Sequence, residues 1–208
     1  PEGPDAVMPF LRNVVRGKNV PAERLFEVRD RYLEVGGVSP IVAETEALLA
    51  ALREALPERR IYLGNRNWRP FLADTLEEMA SDGVGRAIAF TTSAYSSYSS
   101  CRQYLEDIES ARARVGAMAP VVDKIPPFFD HPGFIESNRD RLREALDRAE
   151  PSNPLVLFTA HSLPSSMAAG CDYESQLQQT GQAILAGLEP SLGSRLVYQS
   201  RSGPPSVP

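Results

Sequence analysis

The chain has 208 residues, 42% of them hydrophobic and 24% charged, and a net charge of −5 at pH 7. That length supplies a sizeable core in one large domain or two small ones. The acidic balance, without blocks of Lys or Arg, argues against a nucleic-acid partner, since phosphate binding needs clustered cations. Apolar runs such as Leu155–Phe158 are too short to span a bilayer.

In chain order, the first apolar period runs from Asp5 to Val15, through Val7, Met8, Phe10, Leu11, Val14 and Val15, and predicts a helix stopped by Gly17. A second helix opens at Pro21, carries Leu25, Val28 and Tyr32, and ends at Gly36-Gly37. Ser39-Pro40 reads as a helix start, with Ser39 as N-cap and Pro40 in the first turn. The apolar face behind it is Ile41, Leu48, Leu49, Leu52 and Leu56. The pattern then alternates. Strands are expected at 61–63, 87–90, 121–125, 154–159 and 196–198, and helices at 71–79, 102–115, 134–149 and 173–188. Strand–helix alternation predicts an α/β fold with a mostly parallel sheet.

In such sheets ligands bind beyond the carboxyl ends of the strands. Those ends are polar here. They read Gly64-Asn65-Arg66-Asn67, the hydroxyl-rich Thr91–Tyr98, Ala160-His161-Ser162 and Gln199-Ser200-Arg201. Polar loops also serve simply as helix caps. His161 stands out, because an imidazole is both the commonest metal ligand and a proton acceptor near neutral pH. His131, in the turn-like Phe129-Asp130-His131-Pro132-Gly133, reads as structural. Cys101 and Cys171 are too few for a disulfide framework or a closed zinc site, and point to a reducing, cytoplasmic setting.

Three segments carry a family resemblance. They are Tyr32-Leu33-Glu34-Val35-Gly36-Gly37-Val38-Ser39-Pro40, Phe158-Thr159-Ala160-His161-Ser162-Leu163-Pro164 and Tyr198-Gln199-Ser200-Arg201-Ser202-Gly203-Pro204. In sequence, order and approximate spacing they resemble ferrochelatase signatures. Tyr62–Trp68 and the Ser/Tyr-rich segment ending Cys101-Arg102-Gln103-Tyr104 resemble the actinobacterial branch. The resemblance covers essentially the whole chain. It implies a chelatase fold of two Rossmann-like domains with parallel sheets and a porphyrin cleft between them. The first would be residues 1–93, lacking its first strand, and the second residues 94–208, cut on its C-terminal side. The Pro1-Glu2-Gly3-Pro4 start and the Pro-rich end are expected to be cuts through a longer protein.

The same resemblance implies the activity: insertion of Fe²⁺, as substrate, into a porphyrin in heme biosynthesis. The branch favours coproporphyrin III over protoporphyrin IX. A monomer is the favoured state, and the short apolar runs predict no transmembrane segment. His161 falls on the family's metal-site histidine and is the candidate catalytic residue and Fe²⁺ ligand. Ser39 and Tyr104 fall on substrate-binding positions, and Arg31 on one that can pair with a propionate by a charge-assisted bond. Each has a plainer reading, Ser39 as a cap, Arg31 as a solvated helix residue and Tyr104 as core. Some members of the branch carry a [2Fe–2S] cluster with one internal cysteine, and Cys101 sits near that position. Such clusters need four ligands, usually thiolates, and this chain has two cysteines. Cys171 has no matching role.

The chemistry fits the residues. Iron insertion requires the pyrrole protons to leave, the metal to shed water and the ring to deform. An imidazole with a pKa of about 6.5 can accept a proton or ligate iron. Two other readings compete: a chelatase for another tetrapyrrole or metal, and a non-catalytic tetrapyrrole-binding protein. A serine hydrolase is disfavoured, because no Gly-x-Ser-x-Gly elbow exists and no His follows Ser162 or Ser165.

Overall fold

The structure, a computed structural model, describes residues 1–149, 154–188 and 192–200, with the backbone alone at 99 and 100. Four helices come first: α1 (Pro4–Val14), α2 (Ala22–Glu34), α3 (Ile41–Ala55) and α4 (Leu72–Ser81). Then follow β1 (Arg86–Ala89), a π-helical turn (Tyr98–Arg102), α5 (Gln103–Val115), a 3₁₀ turn (Gly116–Met118) and β2 (Val121–Lys124). The remainder is α6 (Pro132–Arg148), β3 (Leu155–His161), α7 (Ser165–Ala168), α8 (Tyr173–Leu185) and β4 (Gly193–Gln199). The mixed α/β class expected from the alternation is what the chain adopts. The described residues group into two compact units, Pro1–Ala87 with Asp107–Val121, and Ile88–Glu106 with the residues from Val122 on.

In the first unit, α1 turns Val7 and Leu11 inward, at 0% and 5% exposure. Phe10 meets Tyr32 of α2 and Trp68 edge-on, each at 6.1 Å between ring centroids. The strand expected at 61–63 does not form. A strand needs a ladder partner, and side chains take that place here. Arg53 donates to the Ile61 carbonyl at 3.1 Å, and Thr75 of α4 donates to the Leu63 carbonyl at 2.7 Å. The nearby Asn65 makes only an isolated parallel bridge to Phe71.

The cap expected from Ser39 is also absent. α3 begins at Ile41, and Pro40, helical at φ −66° and ψ −17°, occupies the cap position without a side-chain bond. Ser39 is instead held through its backbone. Its N–H donates to the Pro1 carbonyl at 2.9 Å, while Val38 pairs antiparallel with Glu2. Gly37 makes this approach possible. Its φ is +70°, and a Cβ there would lie 2.8 Å from Cα of Pro4.

β1 and β2 are neighbours in one sheet. The Val121 N–H donates to Gly85 and the Ile125 N–H to Ala89, each at 3.0 Å; the equal offset means the strands run parallel. β3 and β4 are parallel too, from Leu155 opposite Gly193 to His161 opposite Gln199. The sequence of β3 reads as continuously apolar, yet its burial alternates. Val156 and Ala160 are buried, while Leu155 and Leu157 are half exposed. α8 covers the buried face. Gly181 lets it approach, because a Cβ there would already touch the Phe158 ring at 3.4 Å.

Candidate functional site

The second unit gathers several strand-end loops. β3 carries His161 at its last position, exposed to solvent. The backbone around it is fixed on two sides. Beyond the ladder, the Ser162 N–H donates to the Gln199 carbonyl at 3.0 Å and the Ser162 hydroxyl donates to the Ser200 carbonyl. From the other side the Tyr173 hydroxyl donates to the carbonyl of His161 itself, at 3.3 Å. The imidazole thus stands at the carboxyl end of a parallel strand with its main chain anchored, where such sheets bind ligands.

The hydroxyl-rich segment after β1 belongs to the same unit. Ser97 is buried, and Tyr95 lies edge-on between Phe134 at 6.2 Å and Tyr173 at 6.1 Å. Burial raises the pKa of Tyr95, Tyr173 and Tyr198 above the usual tyrosine value. All three therefore stay protonated, as hydrogen-bond donors, at neutral pH.

The π turn follows. Such turns are rare and recur at functional sites. It carries Cys101 and delivers the chain into α5, whose second residue is the half-buried Tyr104. The Lys124 ammonium lies 3.9 Å from the Cys101 sulfur and donates to the Ile125 carbonyl at 3.0 Å.

In the first unit Ser39 is half-buried and Arg31, near the end of α2, is exposed. Around Ser39 the surface is apolar, with Val35, Val38 and Ile41 exposed at 73%, 52% and 63%. The loop at 64–70 contributes Arg66, which makes an ion pair of 2.5 Å with Asp107.

A family model for ferrochelatase matches residues 1–207. The chain belongs to the ferrochelatase family. It is 50% identical over 214 residues to a ferrochelatase of Rhodopirellula baltica, matching 100% of this chain and 61% of that protein. It is 48% identical over 223 residues to a coproporphyrin III ferrochelatase of Frankia alni, and 46% over 210 residues to one of Mycobacterium tuberculosis. Each match takes in the whole of this chain and 57% and 60% of those relatives. The chain thus spans about three fifths of the length of the curated relatives it matches.

Within the second unit of this ferrochelatase-family chain lie His161, Tyr104 and Cys101; Ser39 and Arg31 belong to the first. His131 has the structural place expected of it. Its Nδ1 accepts the Gly133 N–H at 3.1 Å and caps α6. Cys171 lies between α7 and α8 and is turned back on α7, with its sulfur 3.4 Å from the Met167 carbonyl. No group of three or more His, Cys, Asp or Glu is gathered among the described residues, and the two cysteines alone do not fit an iron–sulfur cluster. No helix among the described residues is long and apolar enough to cross a membrane. Tyr173, Gln176 and Thr180 of α8 carry no motif in the sequence. Their relevance comes from the loops they hold, and no local pattern announces it.

Proposed function

We propose that the full-length protein inserts Fe²⁺ into a porphyrin, with coproporphyrin III as the preferred ring, and that His161 is the residue at which the chemistry occurs. The family supports the metal-insertion class. The observation that carries the assignment to this chain is the exposed imidazole at the carboxyl end of β3, on a main chain held from both sides.

A neutral imidazole there accepts a pyrrole proton or donates its lone pair to the incoming iron. The porphyrin is an apolar disc with carboxylates at its rim, and it needs apolar surface beside hydrogen-bond donors. Ser39 among exposed Val35, Val38 and Ile41 offers that combination on the first unit. Arg31 supplies a cation for a propionate, and Tyr104 a phenol for the ring or its rim. The cytoplasmic setting and the monomeric state belong to the same proposal. Cys101 is not assigned a cluster.

The test is iron insertion by the full-length protein, with coproporphyrin III and protoporphyrin IX compared, before and after His161→Ala. Loss of a proton acceptor or ligand lowers the rate by ~10²–10⁴, while porphyrin affinity changes little. Near-normal insertion by the variant overturns the role given to His161. Porphyrin binding without insertion by the unaltered protein favours a carrier.

A further inference from the structure

Three strands, β1, β2 and β3, finish in the second unit, and one helix face there holds the end of β3 and the segments that follow β1 and β2. On α8, Tyr173, Gln176 and Thr180 are spaced three and four residues apart and so share a face. Tyr173 donates to the carbonyl of His161, at the end of β3. Gln176, buried at 7% exposure, makes two bonds to Ser96 in the segment after β1. Its amide nitrogen donates to the Ser96 hydroxyl at 2.8 Å and its oxygen accepts the Ser96 N–H at 2.7 Å. Thr180, buried at 4%, donates to the carbonyl of Phe129 in the loop after β2, at 2.8 Å. It is also the hydrogen-bond partner of Tyr95. A helix needs none of these bonds for its own stability. They join residues 12, 80 and 51 positions apart in sequence, all on the side where the strands finish.

We infer that this face of α8 is a positioning device for the reacting end of the unit: Tyr173 and Gln176 set the placement of His161 relative to the hydroxyl-rich segment after β1. This rests on the reading of His161 given above. Neither residue touches the reacting atoms. They act through the main chain of His161 and through Ser96, and small displacements of a reacting group cost rate steeply.

The experiment uses the full-length protein and three variants in one assay: Tyr173→Phe, Gln176→Met and, as reference, His161→Ala. Tyr173→Phe keeps the ring against Tyr95 and removes only the hydroxyl; Gln176→Met keeps the volume and removes both bonds to Ser96. kcat and porphyrin KM are measured well below each variant's thermal midpoint, so that only folded protein is compared. The expected result is a fall in kcat of about three- to tenfold for Tyr173→Phe and for Gln176→Met, the scale of a lost hydrogen bond, with KM within about twofold. A lowered thermal midpoint with unchanged kcat in both variants, beside an impaired His161→Ala, overturns the positioning role and leaves His161 standing. Normal insertion by His161→Ala overturns the reading on which the inference rests.

Discussion

Arg139 of α6 donates from Nε to the main-chain carbonyl of Ile184 at 3.0 Å, near the carboxyl end of α8. Its Nη2 reaches the Ala183 carbonyl at 2.6 Å, and its Nη1 is paired with Glu136. The carbonyls of a last helical turn have no partner within the helix. A guanidinium side chain only 13% exposed meets two of them here. Arg139→Met keeps the aliphatic stem and strands those carbonyls. The expected cost is about 1–3 kcal/mol, read as a lower urea midpoint at unchanged slope. Gly187→Ala pushes a methyl group into the same guanidinium and should act in the same direction. An unchanged midpoint for Arg139→Met would show that the contact contributes nothing net.

Ser39→Ala tests the opposite end of the functional reading. On the proposed role, in which the Ser39 hydroxyl serves a porphyrin carboxylate, its removal weakens binding by roughly tenfold, with a smaller change in turnover. Fluorescence titration of the full-length protein with porphyrin, beside the insertion rate, separates the two effects. Equal affinity for the variant would remove Ser39 from the binding surface.

The alkaline limb of stability is set in part by Tyr95. Burial raises its pKa in the folded protein, outweighing the bond to Thr180 that lowers it. Below an unfolded value of about 10, both states are protonated and the group adds no pH dependence. As pH rises through that value the unfolded chain ionises first, and stability falls until the folded group follows. Tyr173 and Tyr198 shift in the same direction. Tyr95→Phe should therefore make the decline above about pH 10 shallower, measured by urea unfolding at a series of alkaline pH values. An identical slope in the variant would show that Tyr95 ionises alike in both states.

Gly37→Ala places a methyl group against the backbone of Pro4 and a side chain at φ +70°. Both effects oppose the native turn, and the expected loss is about 1–3 kcal/mol. Gly83, also at positive φ (+71°) but with open space around it, is the control. Gly83→Ala carries the conformational cost without the collision. Thermal midpoints of the two variants should differ, with Gly37→Ala the lower.

The helices were legible because their period and their stops are local properties. Gly17 and Gly36-Gly37 end α1 and α2 as expected, and the apolar residues that mark α1 include its buried Val7 and Leu11. β3 was legible as an apolar run ending in a histidine. Ile61–Leu63 looks equally strand-like in sequence but lacks a ladder, since Arg53 and Thr75 meet its carbonyls. Ser39 has the composition of a cap, yet Gly37 and the Pro1 carbonyl place it one residue too early. For the candidate site, the motif around His161 lies at the carboxyl end of β3, where the strand pattern of the sequence puts it. The tethers behind it could not be read, because Gln176 and Ser96 become neighbours only when the chain has folded.

Trp68 is the single tryptophan of the chain, in the first unit, with a buried indole N–H and its ring against Phe10. Selective excitation of that indole therefore reports on one half of these 208 residues and is silent about the other. The seven tyrosines include Tyr95, Tyr173 and Tyr198 of the second unit, so the two signals can be followed side by side during unfolding. If the indole emission and the far-ultraviolet dichroism change at different denaturant concentrations, the halves melt separately. If they coincide, the chain behaves as one cooperative body.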